Sequence, residues 1–279
     1  KWAENTYNVT INSATNGSVS VNKTEGIKAN ETVTLTISPN ANYELKSLVV
    51  KDASNKDVTV TNNTFSMPSS NVTISATFAQ KSPTLVLTSG SANQTVNVNA
   101  AISTIKYTAS GSAVSIKVDG LPNGVTAAIS GLVATISGKP SEIGTFNFSV
   151  TATNNESKTT VLSGKIVVNA VAPVITKPAS TTISATQGVA ITPITFTSDV
   201  AATFNVTGLP AGLSANTAAD GKSVTISGTP TGYGTSNFTV SATAYGKTSS
   251  VSGSVTVAQK LPTLVLTSGS ANQTVNVNA

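Results

Sequence analysis

The stretch Pro83–Ala100, PTLVLTSGSANQTVNVNA, returns letter for letter at Pro262–Ala279. To its left, AQKS at Ala79–Ser82 meets AQKL at Ala258–Leu261, so only Ser82 and Leu261 differ. Alternating strand patterns alone do not reproduce identity over so long a run. The offset of 179 residues exceeds the period of a solenoid repeat, about 20–50 residues, and matches two small β-domains. Whatever starts to fold at residue 83 must start again at residue 262. The chain therefore reads as one leading module, one period of two modules and the opening of the next period. It begins at Lys1 without a start Met or signal peptide, which reads as a piece of something longer.

The expected divisions are residues 1–80, 81–172 and 173–260, with 261–279 repeating 82–100. Each of the three modules is large enough to bury a core without disulfides. The chain has no Cys and no His, and all 16 of its basic residues are Lys. That removes thiolate zinc sites, cysteine nucleophiles and the commonest general base and transition-metal ligand. The net charge of +5 is spread thinly: residues 1–80 balance, 81–172 carry +3 and 173–260 carry +2. Nucleic-acid binding would want Lys clustered with aromatics, and these Lys residues stand singly, so no nucleic acid is expected. No apolar run approaches the roughly 20 residues of a membrane helix, so no membrane insertion is expected.

In residues 1–80 the apolar positions alternate at Tyr7/Val9/Ile11, Val19/Val21, Val33/Leu35/Ile37 and Val72/Ile74/Ala76/Phe78. Period two marks half-buried strands, and no window holds a helical period. Thr15-Asn16-Gly17-Ser18 predicts a tight hairpin between the first two of these strands. The order GSVSVNKTEGIKANETVTLTISPNANYEL…TFSMPSSNVTISATF resembles the internalin-type B-repeat relatives of bacterial surface proteins. Their usual Gly before the Tyr is replaced here by Ala41-Asn42.

Residues 81–260 contain two segments with the same ordered landmarks. Gly120-Leu121-Pro122, Ile136-Ser137-Gly138-Lys139-Pro140, Gly144-Thr145 and Phe148-Ser149-Val150 answer to Gly208-Leu209-Pro210, Ile226-Ser227-Gly228-Thr229-Pro230, Gly234-Thr235 and Phe238-Thr239-Val240. Gly138 and Gly228 are expected to hold a conformation that a Cβ would forbid, and Pro140 and Pro230 to stop the strand. Both segments resemble the immunoglobulin-like modules of the Ser-Gly-Thr-Pro type found in secreted bacterial proteins. The resemblance implies strands of about 5–6 residues in a two-sheet sandwich. Short joins at Val171-Ala172-Pro173 and Ala258-Gln259-Lys260 imply modules that abut.

Candidate chemistry is sparse. A calcium site needs several converging oxygens, and Asp119, Glu142, Glu156, Asp199 and Asp220 are never adjacent, so they read as solvated turn carboxylates. A glycosidase pair could be drawn from Glu25, Glu31, Glu44, Asp52 and Asp57, yet all lie in polar turn-like surroundings rather than in an apolar pocket that would raise a proton donor. Ser or Thr nucleophiles would need a Lys partner, and Lys106, Lys117 and Lys165 read as surface lysines on strands. An intramolecular Lys–Asn crosslink is known in some surface immunoglobulin-like domains, but nothing in the spacing favours one. Among planar rings, Trp2 lies at the chain edge, while Tyr43, Tyr233 and Tyr245 fall near turns. Tyr233 aligns with Ile143 and is expected to plug the turn. Asn-x-Ser/Thr sequons such as Asn8, Asn93 and Asn272 follow from an Asn/Thr-rich composition.

The fold expected is all-β, tandem β-sandwich (immunoglobulin-like) modules in an elongated array. The function expected is a non-catalytic spacer or stalk of a large bacterial cell-surface or secreted adhesin, resembling gliding-type adhesins of the Bacteroidetes. The alternative is an accessory region of a secreted polysaccharide-degrading enzyme, and a third reading is a lectin-like module meeting a surface glycan. No cofactor, metal ligand or catalytic residue is assigned. Partners are expected to be neighbouring modules or copies of the same protein, reached by strand addition through residues 262–279. In the first copy of that stretch, Leu85, Val86, Leu87, Val96 and Val98 are expected to pack against the module that follows.

Overall fold

The computed structural model describes residues 5–262 and Gly269. The strand-addition expectation for the tail and the reading of Trp2 lie outside the described residues. All regular structure among the described residues is β, as the period-two pattern requires. Two compact units are present, residues 1–169 and 170–279.

The first unit begins with β1 (Thr6–Tyr7), β2 (Val9–Ile11), β3 (Gly17–Val21), β4 (Ile27–Lys28), β5 (Thr32–Pro39), β6 (Tyr43–Asp52), β7 (Thr64–Ser66) and β8 (Val72–Gln80). Strands order as β2-β8-β6 in one sheet and β3-β5-β7 in another, with β1 paired to β4. Ile27, Val33, Leu35, Phe65, Met67, Val72 and Ile74 fill the space between them, each at most 3% exposed. The expected Asn16-Gly17 hairpin is not formed. β2 pairs in parallel with β8, and β3 pairs antiparallel with β5, so the two strands flanking the turn lie in different sheets. Asn16 still takes the left-handed conformation, at φ 66°. Gly17 serves a different purpose: a Cβ there would stand 2.6 Å from the ring of Phe78.

The unit continues with β9 (Thr84–Ser89), β10 (Asn93–Asn97), β11 (Ile105–Ser110), β12 (Ala113–Asp119), β13 (Val125–Ser130), β14 (Val133–Gly138), β15 (Gly144–Asn154) and β16 (Thr159–Asn169). They form two four-stranded sheets, β10-β16-β15-β12 and β13-β14-β11-β9. The 18 residues that recur at the chain's end thus supply both of the module's first strands, one to each sheet and each at an edge. Of their apolar residues, Leu85 and Val98 are buried and Val96 is half-buried, while Val86 and Leu87 stay 45% and 39% exposed. Alternation along the strand turns Val86 to the face opposite Leu85.

The second unit holds β17 (Ile175–Thr176), β18 (Thr182–Thr186), β19 (Ile194–Ser198), β20 (Thr203–Thr207), β21 (Leu213–Thr217), β22 (Ser223–Gly228), β23 (Gly234–Ala244) and β24 (Lys247–Ala258). Its sheets, β17-β19-β22-β21 and β18-β24-β23-β20, repeat the preceding topology strand for strand. Tyr107 meets Phe148 edge to face at 6.5 Å, and Phe196 meets Phe238 the same way at 6.2 Å. Such pairs add about 0.5–1.5 kcal/mol to the burial of the rings. Gly164 pairs opposite Phe148 and Gly253 opposite Phe238, where a Cβ would come within 2.2 and 2.3 Å of the ring. Gly138 and Gly228 meet their expectation, with φ of 136° and 125° and a backbone carbonyl 2.2 and 2.3 Å from the position of a Cβ.

Candidate functional site

The best-formed polar cluster is a clasp around residues 80–83, where the first module passes into the second within one unit. β8 ends at Gln80 and β9 begins at Thr84, so three residues make the whole connection. Extended backbone there would leave donors and acceptors unpaired, and side chains of the second module take them up. Glu156 accepts from the Gln80 amide at 3.0 Å, and Lys158 Nζ donates to the Gln80 carbonyl. Asn154 Nδ2 and Ser112 Oγ both donate to the Lys81 carbonyl, at 2.8 and 2.6 Å. Thr160 Oγ1 donates to the Pro83 carbonyl at 2.5 Å. From the first module, the Asn42 carbonyl accepts from the Lys81 amide at 2.8 Å, while Asn42 Nδ2 donates to the Gly111 carbonyl at 3.1 Å. Asn42 can do this because it stands in the left-handed turn position, at φ 65°, in place of the Gly usual among B-repeat relatives.

Local structure prepares the clasp. Asn154 closes β15 and is 3% exposed, with Oδ1 accepting from the amides of Glu156 and Lys158 at 3.0 and 2.9 Å. That side-chain turn holds the carboxylate and the ammonium toward the connection. Glu44 of β6 lies 3.6 Å from Lys158 Nζ, bringing a carboxylate of the first module to the same ammonium. Among the described residues, the buried side-chain polar atoms without a hydrogen-bond partner are Gln80 Oε1 and Tyr107 Oη.

The other candidates are scattered. Glu142, Asp199 and Asp220 accept from the amides of Asn123, Val174 and Lys222, and Asp119 pairs with Lys117 at 2.8 Å. Asp52 accepts from the amides of Ser54 and Lys56, and Asp57 pairs with Lys51 at 2.8 Å. Glu31 accepts from the Lys28 amide at 3.0 Å and from Lys23; that backbone bond first, and Lys23 second, hold its carboxyl below the ordinary range. No group of three or more Asp or Glu gathers to hold a metal among the described residues. Lys106 and Lys165 point to solvent from their strands. Ser and Thr hydroxyls meet one another across strands, as Ser241–Ser250 and Thr243–Thr248 do at 2.8 Å. Tyr233 does not plug its turn: it is 65% exposed, and Ile143 at the matching place is 43% exposed. Gly234 and Gly144 turn the chain there so that the preceding side chain faces outward. A cavity of about 420 Å³ opens beside Asn12, Val49, Lys51, Asp52 and Asn55, and its lining has no aromatic ring for a sugar to stack on.

Glu156 stands exposed in its turn, as expected, but its bond to the Gln80 amide was not foreseen from the sequence. A signal was available in the comparison of the two related modules. At the end of β23 the place of Asn154 belongs to Ala244, and Tyr245-Gly246, both at positive φ, replace the longer Asn155–Lys158 turn.

Comparison with known proteins matches residues 7–82 to the divergent InlB B-repeat domain, and residues 82–169 and 165–258 to the family described as "Putative Ig domain". No curated protein matches the chain. Among solved structures, titin domains z1z2 in complex with telethonin are 13% identical, covering 66% of this chain and all of that one at a TM-score of 0.38. A three-domain titin fragment is 12% identical, covering 92% of this chain and 96% of that one at 0.33. An endo-fucoidan hydrolase of glycoside hydrolase family 107 is 14% identical over 88% of this chain, at 0.37, and this chain spans only 38% of that enzyme. Similarity at these scores carries no argument, so the assignment rests on the family models and on the strand topology. Across residues 82–258, more than half its length, the chain belongs to the "Putative Ig domain" family.

Proposed function

We propose that this chain is a non-catalytic spacer from a large bacterial cell-surface or secreted protein of the adhesin kind. The observation that carries this reading is the clasp. Five side chains of the second module are spent on the backbone of a three-residue connection and its flanks, which fixes one module on the next. A spacer must keep its successive parts in register, and such a hold serves that need. B-repeat-like and immunoglobulin-like modules in tandem suit an extracellular placement.

Rigidity at the connection tests the reading. Spin labels at the exposed Ser18 of β3 and Ser137 of β14 should give one narrow distance distribution, broadened by Glu156→Ala with Lys158→Ala. A distribution already broad in the unsubstituted chain would sink the spacer role. For the placement, antibodies against the chain should label intact source cells without permeabilisation.

A further inference from the structure

We propose that the strand end Ala258–Pro262 is a second docking segment, and that its partner is a second copy of the module of residues 83–169. The inference concerns how modules join and stands whether or not the spacer reading does.

Two unrelated kinds of module lead into the same segment. β8 belongs to the three-stranded sheet of the B-repeat-like module and β24 to an immunoglobulin-like sandwich, yet both run out into Ala-Gln-Lys-x-Pro. The shared letters span the residues that the clasp holds in the first copy. Its contacts take the backbone of Gln80, Lys81 and Pro83, and the one position that varies, Ser82 against Leu261, is exposed in both copies. Backbone recognition makes the segment portable, because any strand ending in this conformation presents the same amide and carbonyls. Gln80 and Pro83 are buried where the clasp covers them, whereas Gln259 and Pro262 are exposed. Leu261 is 78% exposed.

The occupant is specified by the receptor side. Only a module with the Asn154, Glu156 and Lys158 arrangement can hold the segment in this way. The module of residues 173–258 has Ala244 where Asn154 stands and no carboxylate in its Tyr245-Gly246 turn. A copy of that module is therefore not the partner. The residues after Leu261 agree, since Pro262–Ala279 match the first two strands of the clasp-bearing module letter for letter.

The test carries the full chain on past Ala279 with a second copy of residues 101–169, so that residues 262–279 run into the rest of that module. Hydrogen exchange of residues 258–261 is then compared with the 279-residue chain. Protection of that segment should rise at least roughly tenfold and fall back when Glu156→Ala and Lys158→Ala are made in the appended copy alone. Those two residues lie in a turn outside the core. Amides of the appended β11 and β15 report that the copy is folded in either case. Equal exchange of residues 258–261 with and without the two side chains would overturn the proposal. So would an appended copy that stays unprotected throughout, because the same sequence folds after Gln80-Lys81.

Discussion

Asn154, the last residue of β15, donates from Nδ2 to the carbonyl of Lys81 at 2.8 Å, and its Oδ1 holds the turn that carries Glu156 and Lys158. One buried amide thus ties a module's own hairpin to the strand end of the module before it. Asn154→Ala should cost about 1–3 kcal/mol, the range for losing a partner from a buried polar group. The strand itself accepts Ala, as Ala244 shows at the matching place in β23. Urea unfolding of the full chain would measure the loss, and amide exchange at Gln80 should speed up with it. Stability unchanged within error would mean that the clasp contributes nothing.

Tyr107 and Phe196 occupy matching places, and each meets a Phe edge to face. Tyr107 is 1% exposed and its hydroxyl has no partner among the described residues. Tyr107→Phe should leave stability unchanged or raise it by up to about 1 kcal/mol, since an unpaired buried hydroxyl is removed. Chemical denaturation decides, and a clear loss would point to a hidden partner.

Burial pushes the Tyr107 phenol above its ordinary 10.0. Past that pH the unfolded chain releases a proton that the folded chain keeps, so stability falls as pH rises. The decline should begin near pH 10 and be smaller in the Tyr107→Phe variant. Equal slopes in melts between pH 9 and 11 would rule this out.

At Gly17 a Cβ would stand 2.6 Å from the Phe78 ring. Gly17→Ala should cost about 1–3 kcal/mol through overpacking. Adding Phe78→Leu should recover part of that loss, because the two positions are in contact. A strictly additive double-mutant cycle would show that the ring does not meet the new methyl.

Glu31 is held below the ordinary carboxyl value by the Lys28 amide first and by Lys23 second. Its share of stability is present above pH 4.5 and is lost as pH falls through the lowered folded value. A carbon-detected titration should place its midpoint below 4.5, and Lys23→Ala should move it up only part of the way. A midpoint at or above 4.5 would contradict both bonds.

Much of the fold is legible residue by residue. Alternation at Val33/Leu35 and at Phe148/Val150/Ala152 states which side of a strand is buried, because successive side chains take opposite faces. Gly138 and Gly228 announce positions closed to a Cβ, and the return of residues 83–100 announces that a module begins again. These are local or repeated signals, each contained within a few positions. What only the tertiary structure decided are matters of which strand meets which. Asn16-Gly17 looks like a hairpin until β2 pairs with β8 and β3 with β5, partners more than 15 residues away from the turn. Tyr233 looks like a plug until the turn at Gly234 faces it to solvent. Glu156 is an exposed turn carboxylate, and only the fold brings the amide of Gln80, 76 positions earlier, to it. A side chain's type states what it can bond, but its partner is set by chain paths that close over long separations, and no window of sequence contains both ends.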